Sequence, residues 1–255
     1  MKELKIRDFP ELTYARAEAI NTLCVNLSFS GVDMRRIMIT SSHASEGKSS
    51  LSMNIMRSLA NMGYKVVLVD ADMRCSAIES DYRLYTVDSK RKHGLADYLS
   101  GRAELDDVLY ATNIPNACMV PVGRLLSNPL PLLTSDRLNE LMDALAQRSD
   151  YVIVDAPPVG TVIDAAQIAK CCDGTLLAVR YNSVRRQELI NTKNQLEQTG
   201  CPILGAVLTM VKYDSYLTKR YYYKSYYSHY TADSASTTEK EKRAAMRARR
   251  RQNAK

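Results

Sequence analysis

The sequence predicts an α/β fold with a mainly parallel sheet flanked by helices. Three observations predict it. Short apolar runs alternate with stretches of helical periodicity through most of the chain. Several runs, such as Lys65-Val-Val-Leu-Val-Asp70, are apolar almost throughout, as strands covered on both faces must be. Three of them also end in Ser or Asp at a turn, where an open parallel sheet collects its ligands.

Taken in order, residues 11–29 read as a helix, with Leu12, Ala15, Ala19, Leu23 and Leu27 at helical spacing. Residues 36–41 (RIMITS) read as a buried strand, 43–47 as a loop, and 48–62 as a helix that Gly63 stops. A strand follows over 65–70. Residues 72–92 read as irregular and polar. Short helices are expected over 95–99 and 105–110, a strand over 117–122, and a loop over 127–131. Residues 135–148 form an amphipathic helix capped near Thr134 or Ser135, and 151–155 another apolar strand. A helix over 164–171, a strand over 175–179, a helix over 184–198 and a strand over 203–210 complete a βαβ progression. The organisation is therefore an N-terminal helical segment over 1–32, one domain over 33–212, and a flexible tail over 213–255.

Of the 255 residues, 45% are hydrophobic, enough to bury one substantial core. No apolar run approaches the roughly 20 residues that cross a bilayer, and the N-terminus has no secretory h-region. A cytoplasmic location is expected. The six cysteines form no C-x-x-C pair and read as reduced, buried thiols. The net charge of +7 sits almost wholly in residues 239–255, where eight Lys or Arg face two Glu. The basic character thus belongs to the tail and not to a face of the fold, and no nucleic-acid partner is expected.

Three strand ends carry the chemistry. The first, Thr40-Ser-Ser-His-Ala-Ser-Glu-Gly-Lys-Ser-Ser50, links a strand to a helix, where backbone N–H groups and the helix N-terminus can cradle phosphate. Ser45, Glu46, Gly47, Lys48, Ser49 and Ser50 would bind ATP. Lys48 would reach the β/γ-phosphates and Ser49 would hold Mg²⁺. The strict phosphate-loop pattern requires Gly at position 42, and Ser42 stands there. The second end is Asp70-Ala-Asp72-Met-Arg74, whose two acids point the same way and suit Mg²⁺ and proton transfer. The third is Asp155-Ala-Pro-Pro158, an acid acting on Mg²⁺ partly through water. Each alone also reads as a turn or solvated loop, the two acidic ends more readily so than as a site. Together they point to Mg-ATP, with Lys48, Asp70, Asp72 and Asp155 as catalytic candidates and Ser49, Asp72 and Asp155 as metal ligands.

At these residues the chain resembles the bacterial tyrosine kinases of capsule and exopolysaccharide assembly, a P-loop fold. The likeness spans about 18–230. It rests on D-x-D-x-R at Asp70, Asp72 and Arg74, on Asp155 to Pro158, on Gly94-Leu-Ala-Asp-Tyr-Leu-Ser-Gly101, on Ser127-Asn-Pro129, and on a C-terminal tyrosine cluster. The resemblance implies that Tyr221, Tyr222, Tyr223, Tyr226, Tyr227 and Tyr230 are autophosphorylated, between subunits of a homo-oligomer. It implies Asp70 as the residue that orients or deprotonates the tyrosine. It also implies a separate membrane adaptor that recruits the kinase to the inner face of the membrane.

The chain departs from that pattern in places. Ala44 and Ser45 replace Pro-Gly, so Ser45 must take a backbone geometry usually given to Gly. The family's oligomer motif E-x-x-R-x-x-R meets Glu18, Asn21 and Cys24 here, so both arginines are missing. Two other readings stand beside the kinase. One is a MinD/ParA-like ATPase, whose signature lysine would fall at His43; the other is a non-catalytic nucleotide-binding scaffold. His43, His93 and His229 show no metal spacing.

Overall fold

The structure is a computed structural model and describes residues 2–31, 33–87 and 92–211. The tyrosine cluster and the basic tail lie outside the described residues. Among the described residues, nine strands form one sheet: β1 (Lys2–Ile6), β2 (Arg36–Ser41), β3 (Val66–Asp70), β4 (Leu84–Thr86), β5 (Tyr110–Thr112), β6 (Ala117–Val120), β7 (Tyr151–Asp155), β8 (Gly174–Arg180) and β9 (Ile203–Thr209). The helices are α1 (Tyr14–Ser28), α2 (Lys48–Asn61), α3 (Ile78–Asp81), α4 (Leu95–Leu99), α5 (Leu105–Val108), α6 (Leu130–Leu133), α7 (Asp136–Arg148), α8 (Asp164–Ala169) and α9 (Arg186–Glu197).

The sheet order is β4-β1-β5-β6-β3-β7-β2-β8-β9, and the six strands from β6 to β9 run parallel. These carry the apolar runs of the sequence, and β3 and β7 are buried at every position. Two hydrophobic clusters cover the two faces. One joins Met38, Val67 and Val152 to α4, α7 and α8; the other joins Ile37, Leu68 and Ile153 to α1 and α2. The phosphate-loop strand β2 lies between β7 and β8, so the chain leaves it toward β3 on one side and reaches β8 on the other. That reversal opens the crevice at the C-terminal edge.

Three strands were not expected. Residues 1–32 do not form only a helical segment: β1 pairs parallel with β5 and antiparallel with β4. Its K-E-L-K-I alternation buries Leu4 and Ile6 while the charges face solvent. The stretch 72–92 holds α3 and β4, and 105–110 ends as a strand that pairs antiparallel with β6. The 127–131 loop runs into α6. Each missed strand is short, and β1 joins β4 and β5 to the sheet through pairings distant along the chain, a signal that local periodicity lacks.

α2 is buried nearly all round, from Lys48 to Ala60, and α1 packs along it. The two positions where the oligomer motif would carry arginine face this contact. Asn21 accepts a 2.8 Å hydrogen bond from Ser58 Oγ, and Cys24 is fully buried against Ile55. None of the six cysteines is in a disulfide; Cys75 is exposed and Cys118 half-buried, so not all are the buried thiols expected. Among the described residues, no helix is long and apolar enough to cross a membrane.

Candidate active site

Each site residue stands where a parallel strand stops. β2 ends at Ser41, the loop follows, and Lys48 opens α2. β3 and β7 are in register such that Asp70 lies opposite Asp155. Three carboxylates are therefore buried together: Asp70 and Asp155 are 1% exposed and Asp72 3%. Lys48 Nζ donates to Asp72 Oδ2 at 3.1 Å. Ser52, one turn into α2, donates to Asp155 Oδ1 at 3.0 Å, and the Ser49 hydroxyl reaches the same carboxylate. Ser76 Oγ donates to Asp70 Oδ2, and Asp72 Oδ1 accepts the Cys75 N–H at 3.0 Å.

The charges do not balance. Burial pushes Asp155 up to about 6 against the pull of Lys48 and of the Ser49 and Ser52 hydroxyls. Burial, then the neighbouring Asp155, holds Asp70 well above the usual carboxylate range. Lys48 is pressed down by burial, but Asp155, Asp72 and Asp70 outweigh that and raise it. Asp70 Oδ1 is buried with no hydrogen-bond partner. Three buried acids, one lysine and an orphaned carboxylate oxygen suit a hard divalent cation of the Mg²⁺ type.

The loop turns in left-handed geometry at two positions although Ser42 and Ser45 stand where glycines are usual. Ser45 takes φ = 60°, the left-handed geometry expected of it, and Gly47 takes φ = 81° at the start of α2. Glu46 is 2% exposed and turns inward: its Oε2 accepts the N–H groups of Ser42 (2.8 Å) and His43 (3.0 Å). Its carbonyl accepts from Thr209 Oγ1 at 2.6 Å. Ser45 and Ser50 are exposed. Beside the loop, Gly160 runs so close that a Cβ there would stand 2.4 Å from Ser42 O.

Sequence reasoning missed several residues of this site. Asp164, 1% exposed, takes Arg74 in a forked pair (Nε–Oδ2 2.5 Å, Nη2–Oδ1 3.1 Å), while Arg74 Nη1 donates to Ser127 O at 2.7 Å. This clamps the turn after β3 to the segments after β6 and β7. Ser52, Ser76, Thr192 and Thr209 also touch the site. Ser52 follows Lys48 at i+4 and could have been found by helical spacing; Ser76 lies in the turn after β3, six residues from Asp70, whereas Thr192 and Thr209 come from distant elements and left no local signal.

Fold and site together define a P-loop nucleotide-binding domain. The family of the AAA domain matches residues 34–204. The cell-division protein MinD from Pyrococcus horikoshii, solved with Mg-ADP, superposes with a TM-score of 0.58 at 25% identity over 68% of this chain and 69% of that one. The match is stronger with kinases. Tyrosine-protein kinase CpsD of Streptococcus agalactiae serotype III (strain NEM316) is 38% identical over 194 residues, 76% of this chain and 82% of CpsD. The kinase domain of the Escherichia coli tyrosine kinase Etk gives a TM-score of 0.68 at 28% identity over 77% of each chain. The chain belongs to the bacterial tyrosine-protein kinase family, and the MinD-like alternative is the weaker match.

Proposed function

We propose that this chain is an ATP-dependent protein-tyrosine kinase that phosphorylates its own C-terminal cluster, Tyr221, Tyr222, Tyr223, Tyr226, Tyr227 and Tyr230, between subunits. Its setting is capsular or exopolysaccharide biosynthesis, with a separate membrane adaptor that brings it to the inner face of the membrane. The observation that carries the catalytic part is the buried triad of acids around Lys48, with Asp70 Oδ1 unpartnered.

In this reading Lys48 exchanges Asp72 for the γ-phosphate and neutralises it. N–H groups of the loop and the start of α2 hold the phosphates. Ser49, Asp72 and Asp155 would hold Mg²⁺, which would shield charge on the transferring group. Asp155 is kept in place by Ser52, and Asp72 by the Cys75 N–H. Asp70, freed of its proton, would orient the tyrosine hydroxyl and accept its proton as the oxygen attacks the γ-phosphorus, while the bond from that phosphorus to the bridging oxygen breaks and ADP leaves. Positioning and charge neutralisation provide most of the rate.

The test is a phosphotyrosine assay on purified chain with Mg-ATP, alone and with the cytoplasmic tail of a candidate adaptor. Wild type should label within residues 221–230, while Lys48→Met and Asp70→Asn should fall at least a hundredfold. Strong label on a clean Lys48→Met preparation defeats the mechanism. ATP binding without any label points instead to a scaffold that does not transfer phosphate.

A further inference from the structure

The phosphate loop lacks the glycine its motif asks for at position 42, yet it is fully built. We propose that Glu46 and Thr192 are positioning residues that replace that glycine, so that α9 sets the nucleotide affinity of this chain. The inference rests on the ATP-binding reading above and assigns two side chains to the shape of that site.

Each polar group of Ser42 is fixed by a different part of the fold. Its side chain is fully buried, and its Oγ accepts from Thr192 Oγ1 of α9 at 2.9 Å. Thr192 is itself 2% exposed. The Ser42 N–H and the neighbouring His43 N–H both go to Glu46 Oε2. The Ser42 carbonyl faces Gly160, where only a residue without Cβ fits. A glycine at 42 would keep the backbone anchors to Glu46 and Gly160 but lose the hydroxyl that ties the loop to Thr192, and would leave the loop freer. Here side-chain hydrogen bonds do the restraining, and a carboxylate accepting two backbone donors is the strong kind.

Two consequences follow. The Glu46 side chain is a wedge inside the loop and not a phosphate contact: its Oε2 holds the Ser42 and His43 N–H groups, its Oε1 is buried without a partner, and a carboxylate repels a phosphate. The N–H groups of Ala44 to Ser49 are left to face the phosphates. The loop is also tied to the last α/β unit at further points: His43 Nε2 lies 3.4 Å from Glu188 Oε2 on α9, and Thr209 at the end of β9 holds the Glu46 carbonyl. Any displacement of α9 therefore reaches the phosphates through Ser42.

The experiment compares wild type, Thr192→Val, Thr192→Ser and Glu46→Gln in the full chain. Mg-ATP affinity is measured by calorimetry, KM and kcat by tyrosine phosphorylation, and folding by thermal melting. Thr192→Val should raise Kd and KM for ATP about fivefold, with kcat at saturating ATP close to wild type. Thr192→Ser, which keeps the hydroxyl, should restore wild-type affinity. Glu46→Gln, which turns an acceptor pair into a mixed group, should weaken affinity by more than tenfold. Unchanged ATP affinity in Thr192→Val overturns the proposal, as does a Thr192→Ser as weak as Thr192→Val. A wild-type chain that binds no Mg-ATP overturns the ATP-binding reading and this proposal with it.

Discussion

Asp155 shows what a single residue costs this fold. Its carboxyl is raised to about 6, so the folded chain holds that proton more tightly than the unfolded chain, where a carboxyl titrates near its ordinary value. The stabilising effect of the proton is complete below that ordinary value and is lost as the pH rises through about 6. At neutral pH without a cation, the buried charge destabilises the fold. Asp155→Asn should therefore raise the melting temperature of the nucleotide-free chain by several degrees at pH 7.5, and the gain should vanish near pH 4. Melting curves across pH in a chelator check it; a variant no more stable than wild type at pH 7.5 contradicts it. The lysine and the three acids were legible in the sequence because each ends a strand or opens a helix. Asp164 was not, since an acid at the first turn of a helix ordinarily serves the helix, and only packing brought Arg74 to it.

Among the elements, the loops at the C-terminal edge decide function. The phosphate loop and the segment after β7 touch at Ser42 and Gly160, with Thr40 Oγ1 donating to Pro157 O and the Val159 N–H to Ser41 O. Gly160→Ala places a Cβ against that carbonyl, so the loops must part. Mg-ATP affinity should fall about tenfold while the melting temperature moves by only a few degrees, because the strands beneath are untouched. Nucleotide titration beside thermal melting tests this; equal affinity would mean the gap yields freely. The long elements were readable from periodicity. The short strands β1, β4 and β5 were not, because three to five residues carry little pattern and β1 meets β4 and β5 only across roughly 80 to 110 residues of chain. β1 alone left a trace, in the alternation of its five residues.

For the molecule as a whole, charge and chemistry are split along the chain. The excess positive charge belongs to residues 239–255, while the acids of the site are buried in the sheet edge. Truncation after Lys219 should remove most phosphotyrosine label while leaving Mg-ATP affinity unchanged, read by anti-phosphotyrosine blotting beside calorimetry. Full labelling of the truncated chain would place the acceptors elsewhere. The turn of Asn21 and Cys24 toward α2 means that any contact between subunits through α1 uses other residues of that helix. The sequence by itself determined the parallel core, the order of its chemistry-bearing strand ends and the family, because apolar runs and turn residues are local and survive without a structure. Tertiary structure alone decided the rest: the edge built by β1, β4 and β5, the Arg74–Asp164 clamp, and the hold of α9 on Ser42. Those depend on which distant segments meet, and only the packed sheet brings them within reach of a hydrogen bond.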